Sequence, residues 1–185
     1  MKYIIMEKLK VFISSTMDDL QEERMAVANA INENIFWESV YAESFTARSE
    51  SPREVCLEEV RSSHIYIGIF KYRYGYIPSN DNPQGCSVAV LEYNEAKNNR
   101  LPTLIFVDKN DSKRESKLIE FLRDIADFDI GHWRKEYSTT DELVRSTLEA
   151  VNREVTKIYV ETINTKRKNE IREIYKLPYF KRLKD

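Results

Sequence analysis

The stretch His64–Phe70, with the sequence HIYIGIF, decides the fold predicted for this chain. It is a short apolar run, rich in β-branched and aromatic side chains, without the regular polar positions of a strand that has one face in water. Runs of this kind are typical of strands buried on both faces, and such strands occur in parallel sheets covered by helices. We therefore predict a central strand here, in an α/β domain.

Four further segments predict strands, and they alternate along the chain with helical patterns. Val11–Ile13 and Leu101–Val107 are apolar runs, Phe36–Glu43 alternates loosely between apolar and polar residues, and Phe128–Tyr137 can supply the last strand. Because the connections are short and parallel crossovers are right-handed, we expect a doubly wound, five-stranded parallel sheet in the flavodoxin-like order 2-1-3-4-5. The ligand crevice of such a sheet lies between the first and third strands, outside their carboxyl ends.

Helix starts are marked by capping residues. Ser51, Pro52 and Glu54 supply an N-cap, a first-turn proline and a capping-box acid for a helix through Val60. Another helix starts at Ser87, after a loop rich in Gly, Pro, Asn and Asp. Three more helices are predicted from an N-cap residue with an acid three positions later, in the pairs Thr16 with Asp19, Ser112 with Glu115 and Thr139 with Glu142.

Length and composition favour one globular domain. The chain has 185 residues, of which 42% are hydrophobic and 32% charged, and we predict a domain over residues 1–164 followed by a basic appendage or linker over 165–185. The formal net charge of -2 gives no general attraction to nucleic acid or anionic lipid, so neither partner is expected. Two cysteines without a motif fit a reducing compartment, and we expect a cytoplasmic protein without a signal peptide or membrane-spanning segment.

The residues after the first predicted strand are candidates for an anion site. Ser14, Ser15 and Thr16 place hydroxyl groups and free backbone N–H groups before a helix, which suits a phosphate. The alternative is that Thr16 serves only as an N-cap. The loop contains neither the glycine pattern of dinucleotide-binding folds nor a Walker loop, so ATP hydrolysis is not expected.

Glu92 is the carboxylate with the most unusual predicted environment. It lies four residues after Val88 and four before Ala96, within an apolar helical face near the crevice. A carboxylate there is either buried with a partner or reaches a ligand. The spacing leaves both open, with Arg24 or Arg73 as the partner in the structural alternative.

Arg24 is the matching anomaly among the cations. It falls between Leu20 and Val27 on the buried stripe of the first predicted helix, which we expect to extend to Ile35. A buried guanidinium needs a carboxylate within hydrogen-bonding reach. We expect this partner to be Glu92 in the first place and Glu43 in the second.

The remaining candidates favour structural roles. His64 and His132 are isolated and lack ligand spacing, so no metal site is predicted. Neither Cys56 nor Cys86 lies in a nucleophile motif, and small buried hydrophobes are the expectation for both.

Several strings taken together resemble a known family. They are VFISSTMDDL at 11–20 with Glu23-Arg24, then Ser51-Pro52, Gly68–Phe70, Arg73–Gly75 and Glu92–Ala96. This combination resembles the TIR-like domain of unknown function that is often found ahead of NACHT-type and related signalling ATPases. The fold implied is that of TIR domains and nucleoside deoxyribosyltransferases, which agrees with the strand order reached above.

The resemblance also implies a chemistry. In those relatives a glutamate early in the helix after the crevice loop acts on the ribose of a nucleoside or of NAD, and Glu92 matches this position. We therefore expect a hydrolase that cleaves the N-glycosidic bond of NAD or a nucleoside, without a separate cofactor, as a defence or signalling effector. The expected ligand-binding residues are Ser14, Ser15, Thr16, Arg24, Arg48, Tyr72, Arg73, Tyr74 and Ser87, with the two tyrosines stacking on the base.

A second hypothesis is a catalytically silent adaptor that senses a nucleotide or associates with itself. The basic segment after Asn164 would then lead into a C-terminal ATPase or sensor module. Assembly rather than bond cleavage would be its output.

Overall fold

The computed structural model describes residues 7–126 and 131–176, with side chains as far as residue 170. Five strands, a short 3-10 helix at Ala42–Ser44 and five α-helices follow one another along the chain. The strands are β1 (Leu9–Ser15), β2 (Trp37–Val40), β3 (Ile65–Phe70), β4 (Thr103–Asp108) and β5 (Arg134–Tyr137). The helices are α1 (Gln21–Asn32), α2 (Pro52–Ser62), α3 (Val88–Asn98), α4 (Ser116–Asp124) and α5 (Thr140–Lys176).

The strands form one parallel sheet in the order β2-β1-β3-β4-β5, which confirms the predicted fold class. Every residue of β3 is buried, as the uninterrupted apolar run predicted. In the register between β1 and β3, Ser14 lies opposite Gly68 and Ser15 opposite Ile69. The last two residues of β1 therefore lie beside the end of β3, where the strand order reverses.

One face of the sheet holds a contiguous apolar core against α2, α3 and α4. Phe12 and Tyr66 contribute to it from adjacent strands, with ring centroids 6.1 Å apart in a stacked arrangement. Because side chains alternate along a strand, Ser14 shares this face with Phe12, whereas Ser15 points to the opposite face. The helical part of this core consists of Val60, Ala89, Tyr93, Ala96, Leu118 and Leu122.

The capping box at Ser51 and Glu54 is present as predicted, but the one predicted at Thr16 is wrong. The N-cap of α1 is Leu20, and Thr16 instead donates its hydroxyl to Asp19 in the turn before the helix. The Thr16 hydroxyl therefore bonds to the side chain of Asp19, whereas the capping pattern predicted a bond to a backbone N–H group at the start of the helix.

Other element ends also differ from the prediction. Ile35, expected on the buried stripe of the first helix, lies beyond the end of α1 and is 73% exposed. The fourth helix is capped at Glu115 rather than Ser112. The last strand covers only Arg134–Tyr137, and residues 128–130 of its predicted range lie outside the described residues.

The chain forms two compact units, and the boundary between them falls within α5, between Leu148 and Glu149. Helix α5 continues through position 165, where we predicted the start of an appendage, and that boundary stays a prediction. The predicted break at Pro178 lies outside the described residues. None of the described helices is long and apolar enough to cross a membrane.

Arg24 is buried on α1 with 1% exposure, and it holds three segments of the chain together. Its Nε donates to both carboxylate oxygens of Glu43, at 3.0 and 2.8 Å, and its Nη2 also pairs with Glu43. Its Nη1 donates to the Ser15 hydroxyl at 2.6 Å and to the carbonyl of Thr16 at 3.0 Å. The guanidinium thus links α1, the end of β1 and the 3-10 helix after β2.

The partner that we placed second, Glu43, is therefore the correct one, and pairing of Arg24 with Glu92 is wrong. The physical reason is the alternation at the end of β1, because Arg24 bonds to Ser15 on one face of the sheet and Glu92 to Ser14 on the other. Burial alone would raise the pKa of Glu43, but the hydrogen bonds and positive charge of Arg24 hold it below its ordinary value.

Replacing Arg24 by Ala is expected to lower the free energy of unfolding by about 3 kcal/mol, because it leaves Glu43 without its cation in a partly buried site. Arg61→Ala is the matched control, since Arg61 is 49% exposed and pairs with Glu95 at 3.0 Å on the surface. We expect that control to cost less than about 1 kcal/mol. Urea denaturation measures both values, and equal losses in the two variants would contradict the anchoring role of Arg24.

Candidate active site

Glu92 lies in the second turn of α3 and is 6% exposed. The hydroxyl of Ser14 donates to its Oε2 at 2.5 Å. Since Ser14 is near the carboxyl end of β1, this bond places the carboxylate at the edge of the sheet where ligands of doubly wound folds bind. Among the described residues, no cation forms an ion pair with Glu92.

Burial controls the protonation of Glu92. It raises the pKa of the carboxyl from 4.5 to about 7, against the lowering effect of hydrogen bonds from Ser14 and Cys56 and of the positive charge of Arg24. The predicted salt bridges to Arg24 or Arg73 are both wrong, because Arg24 pairs with Glu43 and Arg73 with Asp18. A carboxyl group with this pKa exchanges a proton near neutral pH, which is the range needed for general acid or base catalysis.

Cys56 on α2 is a neighbour of Glu92 that the sequence did not identify. Burial raises the pKa of its thiol to about 12, and the negative charge of Glu92 adds to this shift. The thiol therefore stays protonated and supplies a hydrogen bond instead of acting as a nucleophile. Cys56 lies against Glu92 because α2 and α3 pack side by side. The spacing of residues within one helix does not reveal a contact between two helices.

Two buried hydroxyl groups near this carboxylate have no hydrogen-bond partner within the described part of the chain. They are those of Tyr66, which is 0% exposed on β3, and of Ser87, which is 0% exposed at the N-cap of α3. Burial and the negative charge of Glu92 raise the pKa of Tyr66, against the lowering effect of the nearby Ser14 hydroxyl. Buried polar groups are normally paired, so these hydroxyls are available to a water molecule or a ligand.

The loop after β3 packs over this edge of the sheet. Gly75 has a φ of +95°, and a Cβ atom there would lie 3.0 Å from Cγ2 of Thr16 and 3.9 Å from Oγ of Ser87. The carboxylate of Asp19 fixes the start of the loop by accepting from the backbone N–H groups of Tyr72 and Arg73, at 3.2 and 3.3 Å. The loop therefore lies against the turn after β1 and the start of α3.

Two of the predicted ligand tyrosines lie in this loop and are partly exposed. The hydroxyl of Tyr72 accepts from Nδ2 of Asn110 at 3.2 Å. Burial raises the pKa of Tyr74, while a hydrogen bond from the backbone of Ser87 lowers it, so the Tyr74 hydroxyl lies at the start of α3. Tyr74 therefore lies at the start of α3 and Tyr72 beside Asn110 after β4, and stacking on a base stays a prediction for both.

The structure does not bring the other two predicted ligand cations to Glu92. Arg73 pairs with Asp18, and its side chain is 49% exposed. Arg48 pairs with Glu59 and, at 3.6 Å, with Glu58, in the last two turns of α2. Those turns lie at the end of α2 opposite to the end that begins at the crevice edge.

The two histidines have structural contacts. Nδ1 of His64 accepts from the backbone N–H of Lys10 at 3.0 Å, and the ring of His132 packs edge-on against Tyr93 at 5.6 Å. In residues 7–126 and 131–176, no group of three or more His, Cys, Asp or Glu side chains is arranged to hold a metal ion.

Residues 10–170 match a family that is described as a domain of unknown function, DUF4062. The chain belongs to this family. Telomerase protein component 1 of Mus musculus is 31% identical over 110 aligned positions, which cover 45% of this chain and 4% of that protein. The match thus spans only a small part of that relative's length.

Two solved structures are similar in outline. A CMP N-glycosidase from Clostridium botulinum is similar over 74% of this chain and 96% of its own, with a TM-score of 0.45 and 13% identity. A flavodiiron core from Synechocystis is similar over 78% of this chain and 34% of its own, with a TM-score of 0.39 and 15% identity. Both likenesses are weak, and neither indicates a function for this DUF4062 domain.

The raised pKa of Glu92 predicts how stability depends on pH. Between pH 4.5, the ordinary pKa, and about 7, the folded state binds more protons than the unfolded chain. The contribution of Glu92 is therefore fully present below this window and is lost as the pH rises through 7. Relative to Glu92→Gln, the free energy of unfolding of the wild type should fall by about 3 kcal/mol across the window.

Urea denaturation at a series of pH values measures this difference. Glu95→Gln is the control, because it makes the same chemical change one turn further along α3, at a carboxylate that pairs with Arg61 near the surface. The control should keep the pH dependence of the wild type. Parallel stability curves for Glu92→Gln and the wild type would show that Glu92 ionises normally.

Proposed function

We propose that this domain cleaves the N-glycosidic bond of a nucleoside or nucleotide, and that Glu92 is its catalytic residue. The observation that carries the proposal is a carboxyl group that is 6% exposed, lacks an ion pair among the described residues and has a pKa raised to about 7. Burying a carboxyl group without a cation destabilises the fold, so function is the usual reason for keeping one. Such groups therefore concentrate at active sites. The location at the crevice edge of the sheet supports the same conclusion.

The chemistry requires little beyond this carboxylate. When the bond between C1′ and the base nitrogen breaks, its electron pair leaves with the base and positive charge develops on the ribose. Ionised Glu92 stabilises this charge or captures C1′ as an ester, and water then supplies the hydroxyl group at C1′. With a neutral nucleoside or nucleotide, one proton from the water ends on the leaving base, whereas nicotinamide leaves NAD as a neutral base and that proton goes to the solvent. The products are the free base and the ribose with whatever phosphate groups the substrate carried.

Residues around Glu92 fit supporting roles. Ser14 orients the carboxylate through its 2.5 Å hydrogen bond. Tyr72 and Tyr74, in the loop after β3, offer aromatic faces for the base. The substrates that we propose to test first are NAD and the common nucleosides.

A second candidate function is an adaptor that associates with itself or with a partner module. The observation that favours it lies in the unit from Glu149 onward, where α5 exposes Ile158, Tyr159 and Ile163 by 40%, 65% and 45%. Exposed apolar side chains that cluster on one helix are a feature of interaction surfaces. In this proposal the domain is cytoplasmic, precedes a signalling ATPase as in the TIR-like proteins that it resembles, and acts in defence or signalling.

Base release tests the enzymatic proposal. We expect the purified wild type to release free base from NAD or from a nucleoside, and Glu92→Gln to be slower by at least about a hundredfold, because the ribose cation loses its counter-charge. Chromatography of the products measures both rates. Glu95→Gln should keep the wild-type rate. If the wild type releases no base from any of these compounds, even at concentrations where it self-associates, the adaptor function is favoured.

A further inference from the structure

We infer that the start of α3 binds the phosphate group of the substrate, so that the domain acts on a nucleotide in preference to a free nucleoside. This inference rests on the proposed function and names its substrate class. It differs from our expectation from the sequence, which placed an anion at Ser14, Ser15 and Thr16.

The start of α3 has donors without acceptors. The N–H of Val88 donates to the carbonyl of Tyr76 at 2.9 Å, and that of Leu91 to the carbonyl of Ser87 at 2.9 Å. The N–H groups of Ala89 and Val90, both 6% exposed, have no acceptor among the described residues. The N-cap hydroxyl of Ser87, 0% exposed, makes no capping bond and no other hydrogen bond within the described chain.

This combination favours an anion. The two N–H groups and the hydroxyl lie at the N-terminus of a helix, which is the positive end of the helix dipole. All three can donate hydrogen bonds to phosphate oxygens. Ser51, the N-cap of α2, shows the ordinary alternative, because its hydroxyl accepts from the backbone N–H of Glu54. Ser87 has no such bond, so its hydroxyl remains available to a ligand.

The loop after β1 is less suitable, because its polar groups are already used. Ser15 accepts from Arg24, and Thr16 donates to Asp19. The neighbouring carboxylates of Asp18 and Asp19 would also repel an anion there. The phosphate is therefore better placed at α3.

The spacing connects this site with the catalytic carboxylate. Ser87 caps α3 and Glu92 lies five residues later, which corresponds to about 7.5 Å along the helix axis and about 140° around it. In this inference a ribose 5′-phosphate lies across the first turn of the helix, with the phosphate at Ser87 and C1′ at Glu92. Gly75 lies over Ser87, so phosphate binding would displace the loop from this point.

A stability comparison tests whether the Ser87 hydroxyl is unused in the ligand-free protein. Ser51→Ala should lower the free energy of unfolding, as the loss of an N-cap bond normally does. Ser87→Ala should leave it unchanged or raise it, because the substitution removes a buried hydroxyl that has no partner. An equal loss in both variants would show that Ser87 already makes a capping bond, and would overturn the inference.

A binding experiment tests the ligand class, in a background that cannot turn substrate over. Isothermal titration of Glu92→Gln with nucleosides and their 5′-monophosphates should show the monophosphates binding at least about tenfold more tightly. Adding Ser87→Ala should abolish this preference. Adding Ser63→Ala should keep the preference, because Ser63 is a buried serine away from the start of α3. It follows the last residue of α2 and donates to the carbonyl of Glu59 at 2.7 Å.

Inorganic phosphate separates this inference from the proposed function. Its addition should shift the NMR signals of the Ala89 and Val90 amide groups in the wild type and in Ser63→Ala, but not in Ser87→Ala. If these shifts occur and the wild type releases no base, the anion site stands and the catalytic proposal fails. If base is released but nucleosides and monophosphates bind equally, or the preference survives Ser87→Ala, the anion site fails alone.

Discussion

The alternation of side chains at the end of β1 determines how the polar centre of this domain is arranged. Ser14 and Ser15 are neighbours in the chain, but a strand directs them to opposite faces of the sheet. Ser14 bonds to Glu92 on one face, and Ser15 accepts from Arg24 on the other. The sheet therefore separates Arg24 from Glu92, which are the most buried cation and the most buried carboxylate among the described residues, and each has a different environment.

Two unlike sites follow from this separation. Arg24 has Glu43 as its carboxylate and serves to join α1 to the ends of two strands. Among the described residues, the hydrogen-bond donors to Glu92 are uncharged, Ser14 and Cys56, so burial dominates and its pKa rises. The first arrangement stabilises the fold. The second is costly for stability, and we attribute its presence to function.

The sequence predicted the elements whose determinants are local or strictly periodic. The apolar run of β3 indicated a buried parallel strand, and the helical spacing placed both Arg24 and Glu92 on buried faces. It named Glu43 only as the second choice for the partner of Arg24, because the choice depends on which face of the sheet each helix covers. The contact of Cys56 with Glu92 and the close approach of Gly75 to Ser87 depend on packing between separate segments. A single sequence contains no local pattern that predicts such packing.

Glu92 is a buried carboxyl group whose pKa desolvation raises to about 7. The most direct measurement of this property is the pH titration of its side-chain carboxyl carbon by NMR, assigned by comparison with Glu92→Gln. We predict a midpoint near the pKa of about 7 that burial produces. A midpoint at the ordinary value of 4.5 would contradict it, because the site would then be open to water or paired with a cation.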